Sequence, residues 1–411
     1  VTIIYCLSLY INIQIYLISQ HNHKNIYNNF SCRNLSRIEL IYTVNYQLIK
    51  KLKKISIDLI PDEVMPYLKD GHKDETIYKT KDTESETKLE FLLKQSKILY
   101  DAGIKTGPKV TETEEFKTLK RLLGEQTKDD NDFDNIEPKD NKDISSDSLQ
   151  NPSDPDATYR FKYGDNTGYT GNVAEIFDDN GSIILYYDLQ PNVYSDLKFS
   201  QDIIEKLSDF LEENPTNIDD ANDIDFNLLQ MIVDGAYYSF DLAQSALIKG
   251  IELIPGELTG KNPDSDKFDY VENFVLDENQ EIIERCINDK QPYYTEKSNE
   301  SYYALFEKED CKNCSYKECC RIQIKENINS VSFTEKRYGI GIQRQKMKTE
   351  EYQKLINKRA AIEAIPSVFR RKYNVDSMPI RGRVRMKFRF GFKVLAYNFK
   401  KLFNRFQVAS V

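Results

Sequence analysis

The hydrophobic period switches from helical to strand-like across an acidic stretch too polar to build a core, and that change limits the layers the fold can contain. Before residue 127 apolar residues recur at helical spacing. Residues 31–60, Lys88–Tyr100 and Glu112–Leu123 each place them about 3.6 apart, with basic residues between. Gly103 and Gly107-Pro108 separate the last two segments. From 127 to 155 the residues are mostly Asp, Asn, Ser, Lys and Pro, which predicts a flexible acidic linker. After it the pattern is that of strands. Ala157–Lys162 alternates, Tyr169–Phe177 follows Gly168, and Asp178-Asp179-Asn180-Gly181 turns tightly into Ser182–Leu189. A helix over Gln201–Asn214, an apolar strand Leu229–Val233, a helix Ser239–Lys249 and a strand Ile251–Pro255 come next. A hairpin followed by strand–helix–strand predicts an α/β fold with a mixed sheet and flanking helices.

The expected organisation is then an apolar segment 1–30 outside the fold, a mostly helical region 31–126, the linker 127–155, and a first core part 156–255. A Cys-rich β insertion 256–330 and a C-terminal part 331–411 complete it. Within the last part Thr349–Tyr373 reads as one long helix and 381–405 as a basic, aromatic-rich tail. A chain of 411 residues, 40% of them hydrophobic, can bury cores of this number and size.

Charge is divided unevenly. The net charge is −9, yet residues 336–411 hold 20 Lys/Arg against four acids, leaving 37 basic and 62 acidic residues in 1–335. A basic last fifth on an acidic body predicts a surface for a polyanion, or else a solvated basic face. Residues 1–19 form an apolar run broken by Asn12 and Gln14, without the basic flank and cleavage site of a signal peptide. That run is just long enough to span a bilayer. The expectation is instead translated sequence outside the fold, no membrane partner, and a cytoplasmic protein. Seven cysteines, five of them between 286 and 320, do not form a secreted disulfide framework and point to a reducing compartment.

Several residues carry chemistry. Asp234 ends the apolar strand, with Gly235 allowing a sharp exit, so its carboxylate belongs at the edge where α/β sheets hold ligands. A strand-end Asp also caps helices. Arg359 and Glu363 stand four apart and Arg370 seven beyond, on one helix face, with Arg371 adjacent; a plain surface salt bridge has the same spacing. Asp156 opens the first strand and Asp154 precedes it, in a segment that also suits Asx turns. Cys311, Cys314, Cys319 and Cys320 read C-x2-C-x4-C-C, with Cys286 upstream. Cys286, Cys311, Cys314 and Cys319 would make a tetrahedral zinc set, the alternative being reduced thiols in a small core. In the tail Arg381, Arg383, Arg385, Lys387 and Arg389 alternate, which on a strand would line one face for DNA phosphates.

Four stretches, LQNPSDPDATYRFK (149–162), GYTGNVAEIFDDNGSII (168–184), IVDGAYYS (232–239) and the segment 359–402, together with NLSRIELIY (34–42), resemble DDE-type insertion-sequence transposases of family 1182. The resemblance implies an RNase H-like fold whose three carboxylates hold two Mg²⁺, DNA ends and target DNA as partners, and a homodimer. It assigns metal binding to Asp234 and Glu363 and phosphate contacts to Arg359 and Arg370, the latter pair in an R-x3-E-x6-R spacing similar to the family's Y-R-E-K signature. Ile356 stands where that signature has Tyr. The first acid of the family pattern falls near Asn22-His23, and no acid occurs in residues 1–38, so Asp156 is the in-chain substitute. Alternatives are a remnant that binds DNA without cutting it, and a zinc-supported nucleic-acid- or protein-binding module.

Overall fold

Several helix starts in this protein are set by side-chain caps. The Ser36 hydroxyl accepts from the Glu39 amide at 3.2 Å, Thr113 from Phe116 at 3.3 Å, and Ser239 from Leu242 at 3.2 Å, each satisfying a donor that the first turn leaves open. The computed structural model describes residues 14–20, 35–79, 84–128, 133, 136–161, 165–178, 181–213, 229–259, 271–317, 320, 322–324, 328–358 and 364–408. The main elements, in chain order, begin with β1 (Gln14–Gln20), α1 (Arg37–Ile55), α2 (Ser85–Thr106) and α3 (Glu114–Gln126). Next come β2 (Thr158–Phe161), β3 (Asp165–Asp178), β4 (Gly181–Pro191), α4 (Asp196–Glu213), β5 (Leu229–Val233), α5 (Phe240–Ile248) and β6 (Ile251–Pro255). These are followed by β7 (Val275–Leu276), β8 (Ile283–Arg285), β9 (Tyr294–Ser298), β10 (Ser301–Phe306), α6 (Lys308–Lys312), β11 (Gln323–Ile324) and β12 (Asn329–Thr334). The chain closes with α7 (Glu335–Met347), α8 (Glu350–Lys358), α9 (Ala364–Arg371) and α10 (Arg383–Val408). The whole is a mixed α/β chain that divides into two units.

One unit comprises Ser19–Val173, Tyr186–Ser195 and Pro366–Val411. Its helical core is built by α1, whose Ile41, Val44, Leu48 and Leu52 repeat at three- and four-residue steps and are fully buried against Leu92 and Leu99 of α2 and Leu119, Leu122 and Leu123 of α3. A polar network crosses this core. Asn45 donates to the Tyr67 hydroxyl and the Leu92 carbonyl (both 3.2 Å) and accepts from Ser96 at 2.8 Å. The stretch expected to be a flexible linker is packed over its described residues. Phe133 and Leu149 are buried in the helical core, and the buried Asp154 accepts from the Tyr169 hydroxyl (2.5 Å) and the Gly382 amide (3.2 Å). A few apolar side chains at the right positions suffice to anchor a segment whose average composition is polar. In the same unit β2 pairs antiparallel with the start of β3.

The tail is helical, so the alternating cations do not line one face as they would on a strand. Along α10, Phe390, Val394 and Tyr397 are buried, at steps of four and three, and Phe390 and Tyr397 meet Phe369 with ring centroids 5.7 and 5.4 Å away. Burial at helical period decides the element; on a helix the alternating cations fall on more than one face. The opposite side of α10 exposes Val384, Phe388, Phe392, Leu395, Phe399 and Phe403. The segment expected as one long helix is described as α8 and α9, with 359–363 outside the described residues.

The other unit comprises Val1–Ile18, Ala174–Leu185 and Asp196–Ile365. Its sheet runs β3-β1-β5-β6, with β4 on the far side of β3. β3 and β4 are joined through two residues, which requires an antiparallel pair. β5 is parallel to both neighbours, with Leu17 opposite Val233 on β1 and Val233 opposite Pro255 on β6. Met231, Ile232 and Val233 are buried in succession, as a strand covered on both faces requires. Downstream, β11-β12-β10-β9 form an antiparallel sheet and β7 pairs with β8. Tyr302, Ala304 and Phe306 alternate inward from β10 onto Phe274, Ile283, Val331 and Phe333. Among the described residues no helix is long and apolar enough to cross a membrane.

Candidate functional site

Asp234 stands where the sheet ends. It follows β5 directly, is half-buried, and its Oδ1 accepts from the Gly235 amide at 2.9 Å, capping the 3-10 turn Gly235–Tyr237. Gly235 is required by space. A β-carbon there would lie 2.7 Å from the Glu257 carbonyl oxygen and 2.9 Å from Glu257 Cγ, and its φ is not positive. The closeness follows from the parallel register, in which the Gly256 amide donates to the Val233 carbonyl at 2.8 Å and carries Glu257 past the end of β5. Glu257, exposed on this edge, was not singled out from the sequence, because Pro255-Gly256 gives no periodic signal there. On the other side of β5, β1 contributes Gln14–Gln20, a segment with no carboxylate.

Of the other two predicted acids, only Asp156 is a described residue. Asp156 is exposed in the turn ahead of β2 and belongs to the other unit; Glu363 and Arg359 lie outside the described residues. Asp234 offers the hard oxygen donors that Mg²⁺ takes. Among the described residues no three His, Cys, Asp or Glu side chains are grouped to hold an ion, so this edge presents one member of the predicted set, not a two-metal cage.

The predicted phosphate contacts divide by partner. Arg370 Nε is 3.7 Å from Asp376, and Arg371 is exposed on the last turn of α9. Arg381, Arg383 and Arg385 are all exposed, and Arg383 also donates to Gln190 Oε1 at 3.1 Å. Lys387 is committed to Asp188 at 2.5 Å. Burial pushes the Asp188 carboxyl up, but side-chain bonds from Lys387 and Gln190 and the Lys387 charge outweigh it and hold the group below its ordinary range.

The cysteines do converge. Cys286, Cys311, Cys314 and Cys320 line a single pocket with Phe274, Ile287, Phe306, Tyr316 and Ile322, and Cys311 is the most buried of the four. Three turns deliver them. The Asp289 amide closes on the Cys286 carbonyl at 2.9 Å, Cys314 on Cys311 at 3.4 Å, and Cys320 on Tyr316 at 2.7 Å. Burial, and then the neighbouring thiols, push Cys311 up to about 11. Burial likewise raises Cys320 to about 11, so both are neutral thiols at pH 7. Cys319 of the predicted zinc set lies outside the described residues, and Cys320 lines the pocket.

Residues 285–403 match the family described as the transposase DDE domain. No curated protein and no solved structure matches the chain significantly. The matched span includes Arg359, Glu363, Arg370 and the tail cations, and it takes in the cysteine region from Cys286 onward. It leaves Asp234 and Asp156 outside. Over residues 285–403, under a third of its length, the chain is similar to the DDE domain of transposases.

Proposed function

We propose that the protein acts on the ends of an insertion sequence, of the family 1182 type, as a homodimeric cytoplasmic transposase that cuts and joins DNA with Mg²⁺. The family match over 285–403 carries this reading. Two features of the fold support it: a hairpin and parallel strands share one mixed sheet, as an RNase H-like fold would need, and Asp234 ends a central parallel strand. Asp234 and Glu363 are the proposed metal carboxylates, with Asp156 as third. Two bound divalent ions would activate the attacking oxygen and stabilise the leaving one. Arg359, Arg370 and Arg371, with Arg381, Arg383 and Arg385, are the proposed phosphate contacts.

A second reading, a protein that docks on transposon ends without cutting, is favoured by the lack of any acid in β1, the strand beside Asp234. A cleavage assay on linear DNA bearing candidate ends, with Mg²⁺ or Mn²⁺, separates the two. Nicking by the wild type that disappears in Glu363→Gln and Asp234→Asn is the expected result. Equal binding by all three proteins with no nicking by any would establish the second reading instead.

A further inference from the structure

We propose that Cys286, Cys311, Cys314 and Cys320 form a structural site for one Zn²⁺ whose binding draws together the turns that carry them. The pocket unites these four cysteines, of seven in the chain, from sequence positions 34 residues apart at the extremes. Four thiolates match the soft, tetrahedral preference of zinc.

The surroundings support this assignment in three ways. First, the core behind the pocket is small: Val271, Phe274, Ile283, Tyr302, Ala304, Phe306, Cys311, Val331 and Phe333 are its buried members. A subdomain with so little apolar area is the kind that a metal staple stabilises. Second, the lining carries Lys290 and Lys317, cations suited to the double negative charge of a zinc tetrathiolate; Lys290 is held by Asp310 at 3.2 Å. Third, Cys311 and Cys314 flank a tight turn, the usual zinc half-site, and Cys286 enters from a separate turn facing the same pocket. The remaining thiol is Cys320 in place of Cys319, because Cys320 lines the pocket and packs on the core.

The thiols are not drawn to coordination distance as they stand. Zinc binding therefore includes closure of the Cys311, Cys314 and Cys320 thiols onto one point with that of Cys286, coupled to release of the thiol protons to solvent. This inference is independent of whether the protein cuts DNA.

The test is metal analysis of full-length protein purified without chelator, with Co²⁺ substitution as the spectroscopic probe. One zinc per chain is expected, falling to near none in Cys286→Ser and Cys320→Ser and unchanged in Cys319→Ser. Co²⁺ should give the visible absorption of a tetrahedral tetrathiolate. Cys320→His, which keeps a fourth ligand and guards against loss through misfolding, should retain metal with a shifted spectrum. Hydrogen exchange of 308–324 should slow on adding zinc to the stripped protein. A wild type without zinc, or a disulfide among these cysteines in its place, would overturn the proposal. Zinc kept by Cys320→Ser and lost from Cys319→Ser would overturn the ligand assignment.

Discussion

Gly235 sits where two strands leave the sheet side by side, and its hydrogen is all that fits between them. Alanine there would bring a methyl carbon to 2.7 Å from the Glu257 carbonyl oxygen, a backbone atom fixed by the β5–β6 register. Overpacking of this kind costs about 1–3 kcal/mol. Gly235→Ala should therefore lower the unfolding free energy by that amount, read in urea as a lower midpoint at unchanged slope, and displace Asp234. An unchanged midpoint would show that the β6 exit gives way freely. The sequence made Asp234 legible, because an acid closing an apolar run is a position that strand geometry defines. The reason for its glycine neighbour was not legible. A sharp exit calls for an unusual dihedral, whereas the structure calls for room, and room depends on Glu257, twenty-two residues away.

At the scale of elements, two periods competed in the tail. Cations alternate by two from Arg381 to Arg389, while Phe390, Val394 and Tyr397 repeat at four and three. The apolar period prevails because burying a large side chain stabilises by about 1.5–3 kcal/mol, whereas an exposed charge is nearly indifferent to which element carries it. The hairpin, the strand–helix–strand and the helices of the first 126 residues were legible for the same reason: each repeats apolar residues over enough turns to fix its period. The strand Gln14–Gln20 and the packing of Phe133 and Leu149 were not, because each depends on a distant partner.

Docking of α10 has its own electrostatic signature. The Asp188 carboxyl is held below its unfolded value by Lys387 and Gln190, so its ionised form stabilises the folded state. That contribution is complete above the unfolded value of 3.8 and is lost as pH falls through the lower folded value. Thermal melts in this acid range should show a fall in stability that Asp188→Asn flattens. An identical profile for the variant would mean that the pair is electrostatically idle.

For the molecule as a whole, the charge division bears on the DNA binding proposed above. Residues 336–411 carry 20 basic residues against four acidic ones, while the remaining 335 residues are strongly acidic. Binding through the last fifth should weaken steeply with salt, by about 0.9 log units per log unit of salt for each phosphate neutralised. Replacing exposed Arg381 and Arg385 with Gln should reduce that slope by roughly two units in filter-binding titrations. Lys387→Gln should change it far less, since Lys387 is already engaged by Asp188. A slope unmoved by the double substitution would take DNA off this segment.

The outward side of α10 has a consequence of a different kind. Phe388, Phe392, Phe399 and Phe403 are each more than 60% exposed along a helix rich in lysine and arginine. Such a rod is a cationic surfactant built into a polypeptide: greasy along one line, charged along its flanks. A surface of this kind should adsorb to glass and plastic, so that the apparent concentration of a dilute solution should depend on the vessel unless detergent or carrier protein is present.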